Sequence, residues 1–177
     1  MFLQVFLGVF LLLAFGMLFV VLSELVAFLR TRVPFVPTRA SDIEFIAGKL
    51  ALSPQDIVYD LGSGNGKVVF LLEKLTGAKA KGFELGWWTY LYARLKAWFM
   101  SSKAEFAHRN FFKEDWSEAS VIYCYLYPPL MGRIEEKFLA ECRPGSRAVV
   151  RDFPLPGMPY GEKYYLPHNH EIYVYKL

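Results

Sequence analysis

The first 23 residues, Met1 to Ser23, hold no ionisable side chain; Glu24 is the first, and all 20 Lys and Arg residues lie at Arg30 or later. That gap argues against a cleaved secretory leader, which needs a basic start, a shorter apolar run and a small-residue cleavage site. Cysteine is scarce too: Cys124 and Cys142, both within apolar stretches, are the two present. They provide no disulfide framework, and a reducing compartment fits. Of three histidines, His168 and His170 form an H-x-H with no third ligand nearby, so a metal centre is not indicated. Basic residues are interspersed with acids to a net charge of +3, which leaves no stripe for nucleic acid.

What the N-terminus does contain is Phe2 to Leu22, apolar except for Gln4 near its start. As a helix it is long enough to cross a bilayer core of about 30 Å. A core helix apolar on every face is unusual in so small a domain. Residues 1–29 therefore read as a single-pass membrane anchor that itself contributes nothing to a ligand site. Arg30, Arg32 and Arg39 follow it, so the positive-inside rule places the rest on the cytoplasmic side, or the matrix side in a mitochondrion. Residues 30–40, with Pro34 and Pro37, read as a linker, and 41–177 as one domain.

Within the domain, Ser41 and Glu44 suggest a capping box opening a helix with Ile43, Ile46, Ala47 and Leu50 on one face. Strand and helix patterns then alternate: "DIVYDLG", "GKVVFLLEKLTG", "AKGFEL", "WWTYLYARLKAWFMSS", "AEFAHRN", "ASVIYCYLY", "LMGRIEEKFLAEC", "SRAVVRDF". Such alternation predicts an α/β fold with a mostly parallel sheet covered by helices. The tail "EKYYLPHNHEIYVYKL" lacks a helix and predicts an antiparallel pair at the sheet edge. "RIEEK" reads as a solvated helix face. The helix starting "WWTYLY" carries more aromatics than one face can bury, and the excess suits a membrane interface.

The turn Asp60-Leu-Gly62-Ser63-Gly64-Asn-Gly66 follows the first strand, where open α/β sheets bind ligands. Glycine lets a ligand approach bare backbone. Lys67 is followed by Val68, so this is no P-loop, and the spacing G-x-G-x-G is not the dinucleotide G-x-G-x-x-G. Asp60 would repel a pyrophosphate but suits an ammonium, which S-adenosylmethionine (SAM) carries without any phosphate. Glu84, ending the second strand, is placed to accept ribose hydroxyls.

These residues resemble the SAM signature of class I methyltransferases, with their Rossmann-like sheet. "PFVPTR", "NFFKEDWSEASVIYCYLYPP" and "RPGSRAVVRDFPLPG" further resemble membrane-anchored protein-lysine methyltransferases. Mitochondrial members of that family modify the ATP synthase c subunit and the adenine nucleotide carrier, and prokaryotic relatives exist. The resemblance implies that Asp60, Gly62, Ser63, Gly64 and Gly66 hold the methionine end of SAM and Glu84 the ribose. It places Asn110 at the adenine, where many relatives have an aspartate, and Phe111 against the ring or in the core.

Tyr127-Pro128-Pro129-Leu130 lacks the amide or acid and the final ring that base and glutamine methyltransferases carry at the fourth strand. Lysine must lose a proton to attack, and its ordinary pKa of about 10.4 calls for an apolar channel or acceptors. Tyr125 and Tyr127, on alternate residues of an extended strand, would line one side of that channel. The expected activity is methyl transfer to lysine of a membrane protein. A small-molecule or lipid methyltransferase, or a tethered SAM-binding module without activity, stays open as an alternative.

Overall fold

A computed structural model describes residues 2–31 and 36–177; part of the expected linker, residues 32–35, lies outside them. Helix α1 spans Phe2–Thr31, and its run Phe2–Val26 is apolar and unburied throughout. Helix α2 (Ala40–Lys49) buries Ile43, Ile46, Ala47 and the following Leu50 as its periodicity predicts. Its start differs from expectation. Arg39 is the N-cap, no side chain caps the helix, and Ser41 lies inside it. Asp42 is drawn inward to a buried ion pair with Arg151 (2.9 Å), and the helix starts two residues earlier than a Ser41 cap would set it.

Strand β1 (Ile57–Leu61) is followed by α3 (Lys67–Thr76), β2 (Lys79–Glu84), α4 (Trp87–Phe99) and β3 (Glu105–His108). Then come β4 (Val121–Cys124), α5 (Met131–Glu141), β5 (Arg147–Arg151), β6 (Glu162–Leu166) and β7 (His170–Lys176). One sheet runs β3-β2-β1-β4-β5-β7-β6. Strands β1 to β5 pair in parallel, and β7 runs antiparallel to both β5 and β6. The tight β6–β7 connection at Pro167–Asn169 is the predicted turn.

Two cores cover the sheet. Ile43, Val68, Phe70, Ala93 and Val149 lie in one; Leu61, Phe83, Trp116, Ile134 and Tyr175 in the other. Central strands buried on both faces explain the near-continuous apolar runs of β4 and β5. Strand β4 ends at Cys124, three residues short of the predicted limit, so strand alternation does not govern Tyr125 to Tyr127. The two prolines that follow cannot donate to a ladder, and Tyr127 already caps the 3-10 turn they open.

Candidate active site

The strand order reverses between β1 and β4, and a cavity of about 800 Å³ opens beyond their carboxyl ends. Asp60 and Ser63 form part of its wall, both buried. Asp60 Oδ2 and Ser63 Oγ have no hydrogen-bond partner among the described residues. Burial, with a smaller contribution from the neighbouring Glu84 charge, pushes the Asp60 carboxyl up to about 8. Buried polar atoms are almost always paired, so this wall is built for a polar ligand. A cation suits it and a phosphate does not.

The three turn glycines are all left-handed, with φ of 80°, 52° and 76° at Gly62, Gly64 and Gly66. Their tasks differ. Gly64 N–H donates to Glu84 Oε2 at 2.8 Å, tying the turn to the end of β2. Gly66 is absent from the cavity wall; a Cβ there would lie 2.6 Å from the Phe106 ring and 2.9 Å from Phe70. Its bareness serves helix–sheet packing rather than the ligand. Gly82 on β2 does related work, because a Cβ there would lie 2.5 Å from Ser63 Oγ. Left-handed strain of about 1–2 kcal/mol plus overpacking of about 1–3 kcal/mol is expected for Gly66→Ala. Chemical denaturation should show a loss of about 2–5 kcal/mol, and an unchanged midpoint would refute this role.

Glu84 accepts Gly64 N–H on one oxygen and the Leu85 and Gly86 N–H groups, each at 2.7 Å, on the other. Burial raises its pKa while these three bonds oppose the shift. Asn110 lines the cavity, and its Oδ1 accepts Phe112 N–H at 3.0 Å, capping the 3-10 turn Phe111–Lys113. Phe111 combines both expected placements: it reaches the cavity yet is buried against Phe112 and Trp116. Phe112, beside it, has the Arg133 guanidinium 4.0 Å from its ring centre, and both line the cavity.

At the β4 end the two tyrosines separate. Tyr125 lines the cavity, half-buried, while Tyr127 is 48% exposed and outside the wall. Burial first, then the Asp152 carboxylate, pushes the Tyr125 hydroxyl's pKa up. Arg151 lies 4.7 Å over the Tyr125 ring. Asp152 is held left-handed (φ 63°) and accepts His170 Nδ1–H at 2.8 Å and Glu171 N–H at 2.9 Å. Tyr125 is thus a protonated hydroxyl backed by fixed charges, able to donate or accept a hydrogen bond but unsuited to act as a base.

Other wall residues escape a reading of motifs. Pro37 and Thr38 line the cavity, and the Thr38 and Tyr123 hydroxyls meet at 3.2 Å in a buried contact. Glu24 of α1 also lines it and accepts from Thr89 Oγ1 (2.7 Å) and Thr89 N–H (3.3 Å). The expectation that the anchor contributes nothing to the site is therefore corrected. "RIEEK" is corrected as well: Arg133 reaches the cavity, and Glu135 is buried, accepting Gly157 N–H at 2.9 Å. Glu24 had one signal, its place as the first ionisable residue, and Thr38 lay within the "PFVPTR" block; Arg133 had none.

Residues 60–161 match the ANTKMT methyltransferase domain, more than half of the chain. The chain belongs to that methyltransferase family. It is 32% identical over 130 residues to the adenine nucleotide translocase lysine N-methyltransferase of Mus musculus, covering 72% of this chain and 56% of that one. The match to a protein-lysine N-methyltransferase of Saccharolobus islandicus is 30% over 149 residues, covering 81% and 92%. The chain thus spans a little over half of the mammalian relatives it matches, among them the lysine N-methyltransferase of the ATP synthase c subunit from Rattus norvegicus.

Among solved structures, an RNA methyltransferase from Salinibacter ruber in complex with S-adenosyl-L-homocysteine superposes with a TM-score of 0.76 at 26% identity. The alignment covers 80% of this chain and 93% of that one. The fold is that of class I methyltransferases, and SAM is the cofactor its cavity fits. The orphaned Asp60 oxygen matches an ammonium, and the glycine turn and Glu84 provide donors and acceptors on the adjoining wall.

Proposed function

We propose that this protein is a membrane-anchored enzyme that transfers a methyl group from SAM to a lysine side chain of a membrane protein. The observation carrying the proposal is the position of Glu24. It lies two residues before the end of the apolar run of α1 and lines the same cavity as Asp60 and Glu84. The mouth of the site therefore lies where the span ends, and side chains emerging from the bilayer are its nearest acceptors. Relatives named as lysine methyltransferases of the adenine nucleotide translocase and of the ATP synthase c subunit support the choice of acceptor.

In this reading Asp60 holds the cofactor's ammonium, Glu84 its ribose, and Asn110 and Phe111 border its base. When bound, the cofactor supplies an electrophilic methyl group. Tyr125 and Leu126 shape an acceptor entrance poor in water, which favours the neutral amine. The Tyr125 hydroxyl orients the amine lone pair, and alignment accounts for most of the rate. Tyr127, exposed beside the entrance, is placed to meet the protein around the target lysine. Arg30, Arg32 and Arg39, beyond the apolar run, support a domain on the cytoplasmic or matrix side.

Membranes from cells lacking the protein, incubated with the purified enzyme and methyl-labelled SAM, should take up label on lysine of a small hydrophobic protein. The rate should rise with pH, because the neutral lysine fraction grows tenfold per unit below a pKa of about 10.4. Label in extractable lipid or a soluble metabolite would favour the alternative acceptors, and no label anywhere would favour a binding module.

A further inference from the structure

Helix α4 buries Ala93 and Ala97 against the domain, but its opposite side is apolar and uncovered. Trp88, Tyr92, Leu95 and Phe99 are all exposed and fall within an arc of roughly 60° at 3.6 residues per turn. Trp98, Phe99 and Met100 at the C-terminal end are 73%, 77% and 56% exposed. Exposed apolar surface of this extent on a soluble domain marks a binding face. Lys96 borders the stripe with its ammonium 5.0 Å over the Phe70 ring, Arg94 lies further round and donates to the Tyr90 hydroxyl at 3.0 Å, and α4 contains no acidic residue. An aromatic stripe with cations beside it has the chemistry of a helix lying in a membrane interface.

The N-terminal end of the same helix is where α1 attaches. Phe19 packs edge-on to Trp87 at 6.1 Å, and the Glu24 carboxylate accepts from Thr89. A helix of 13 residues extends about 20 Å, so the whole stripe stays close to the end of the span. We infer that the exposed face of α4 docks on the bilayer, with Trp98 and Phe99 at the headgroup–acyl boundary and Arg94 at the level of the lipid phosphates. The inference rests on the membrane-anchored reading above. Docking fixes the cavity mouth against the bilayer instead of leaving it to swing on a single helix.

The test uses the full chain in nanodiscs of equimolar phosphatidylcholine and phosphatidylglycerol, with and without bromine on the acyl chains. Trp98 emission is taken as the difference between the native protein and Trp98→Phe, an exposed and conservative change. Brominated lipid should quench about half or more of that emission and shield it from aqueous acrylamide, as expected for an interfacial indole. Trp98→Glu with Phe99→Glu should slow methylation of bilayer-embedded protein at least about tenfold with unchanged SAM affinity. Trp98 emission untouched by bromine overturns docking, whether acrylamide reaches the ring or a second copy covers it. Resistance to carbonate extraction is read in the same samples. An extractable protein refutes the anchor and docking together, whereas an anchored protein with unquenched Trp98 refutes docking alone.

Discussion

Asp60→Asn is expected to stabilise the cofactor-free protein while abolishing its binding of SAM. The carboxyl is buried without a partner for Oδ2 among the described residues, and its pKa rises from 3.8 to about 8. An acid whose folded pKa lies above its unfolded value opposes folding once the unfolded chain ionises. Stability therefore falls as pH climbs from about 4 towards 8 and levels off beyond. At pH 7 the opposing free energy is on the order of 2–4 kcal/mol, reduced in the variant by the need to bury a neutral amide. Thermal melts at pH 7 should rise by about 5–10 °C, and the two proteins should converge below about pH 4. The same substitution leaves the ligand's ammonium without a counter-charge, so SAM affinity should drop about 100-fold or more by calorimetry. A variant that melts lower than the native protein at pH 7 would show that Asp60 is already satisfied before the cofactor arrives. Binding of SAM to the native protein below pH 8 should also release a proton from Asp60, detectable as a buffer-dependent binding enthalpy.

How much of this was legible in the sequence depended on how local the cause was. The β–α alternation, the turn after β1 and the hairpin at the tail follow from periodicity and turn chemistry within a few residues, and the strands fall within the predicted segments except that β2 starts one residue earlier, at Lys79. Gly66 looked like a ligand contact, because a bare turn gives no sign that Phe106, 40 positions away, presses on it. Ser41 looked like a cap because its capping box is local, whereas the Asp42–Arg151 pair joins residues 109 positions apart. Tyr125 and Tyr127 looked equivalent on an assumed strand; the strand stops at Cys124 and only Tyr125 turns into the cavity. The contribution of Glu24 belongs to packing of α1 on α4, which no motif encodes.

Glu84 offers the sharpest test of the cofactor wall, since replacing it by glutamine should be as damaging as replacing it by alanine. An ionised carboxylate has about four acceptor positions, and three are already taken by Gly64, Leu85 and Gly86 N–H groups. One position remains for a ribose hydroxyl, so a second hydroxyl must displace a backbone donor. Glutamine keeps one acceptor oxygen but turns an NH₂ towards at least one of those N–H groups. The lost bonds are worth about 1–3 kcal/mol each, and the turn that carries Gly64 is released. Glu84→Gln and Glu84→Ala should both weaken SAM about 100-fold, within a few-fold of each other. A residue used for ribose alone would behave differently, with Gln retaining most of the affinity. A 3′-deoxyribose SAM analogue separates the two roles: it should bind the native protein about tenfold more weakly than SAM and both variants no more weakly than SAM. Near-native affinity in Glu84→Gln would show that the backbone bonds are dispensable and that the turn holds its shape through the packing of Phe106 and Phe70 on Gly66 instead.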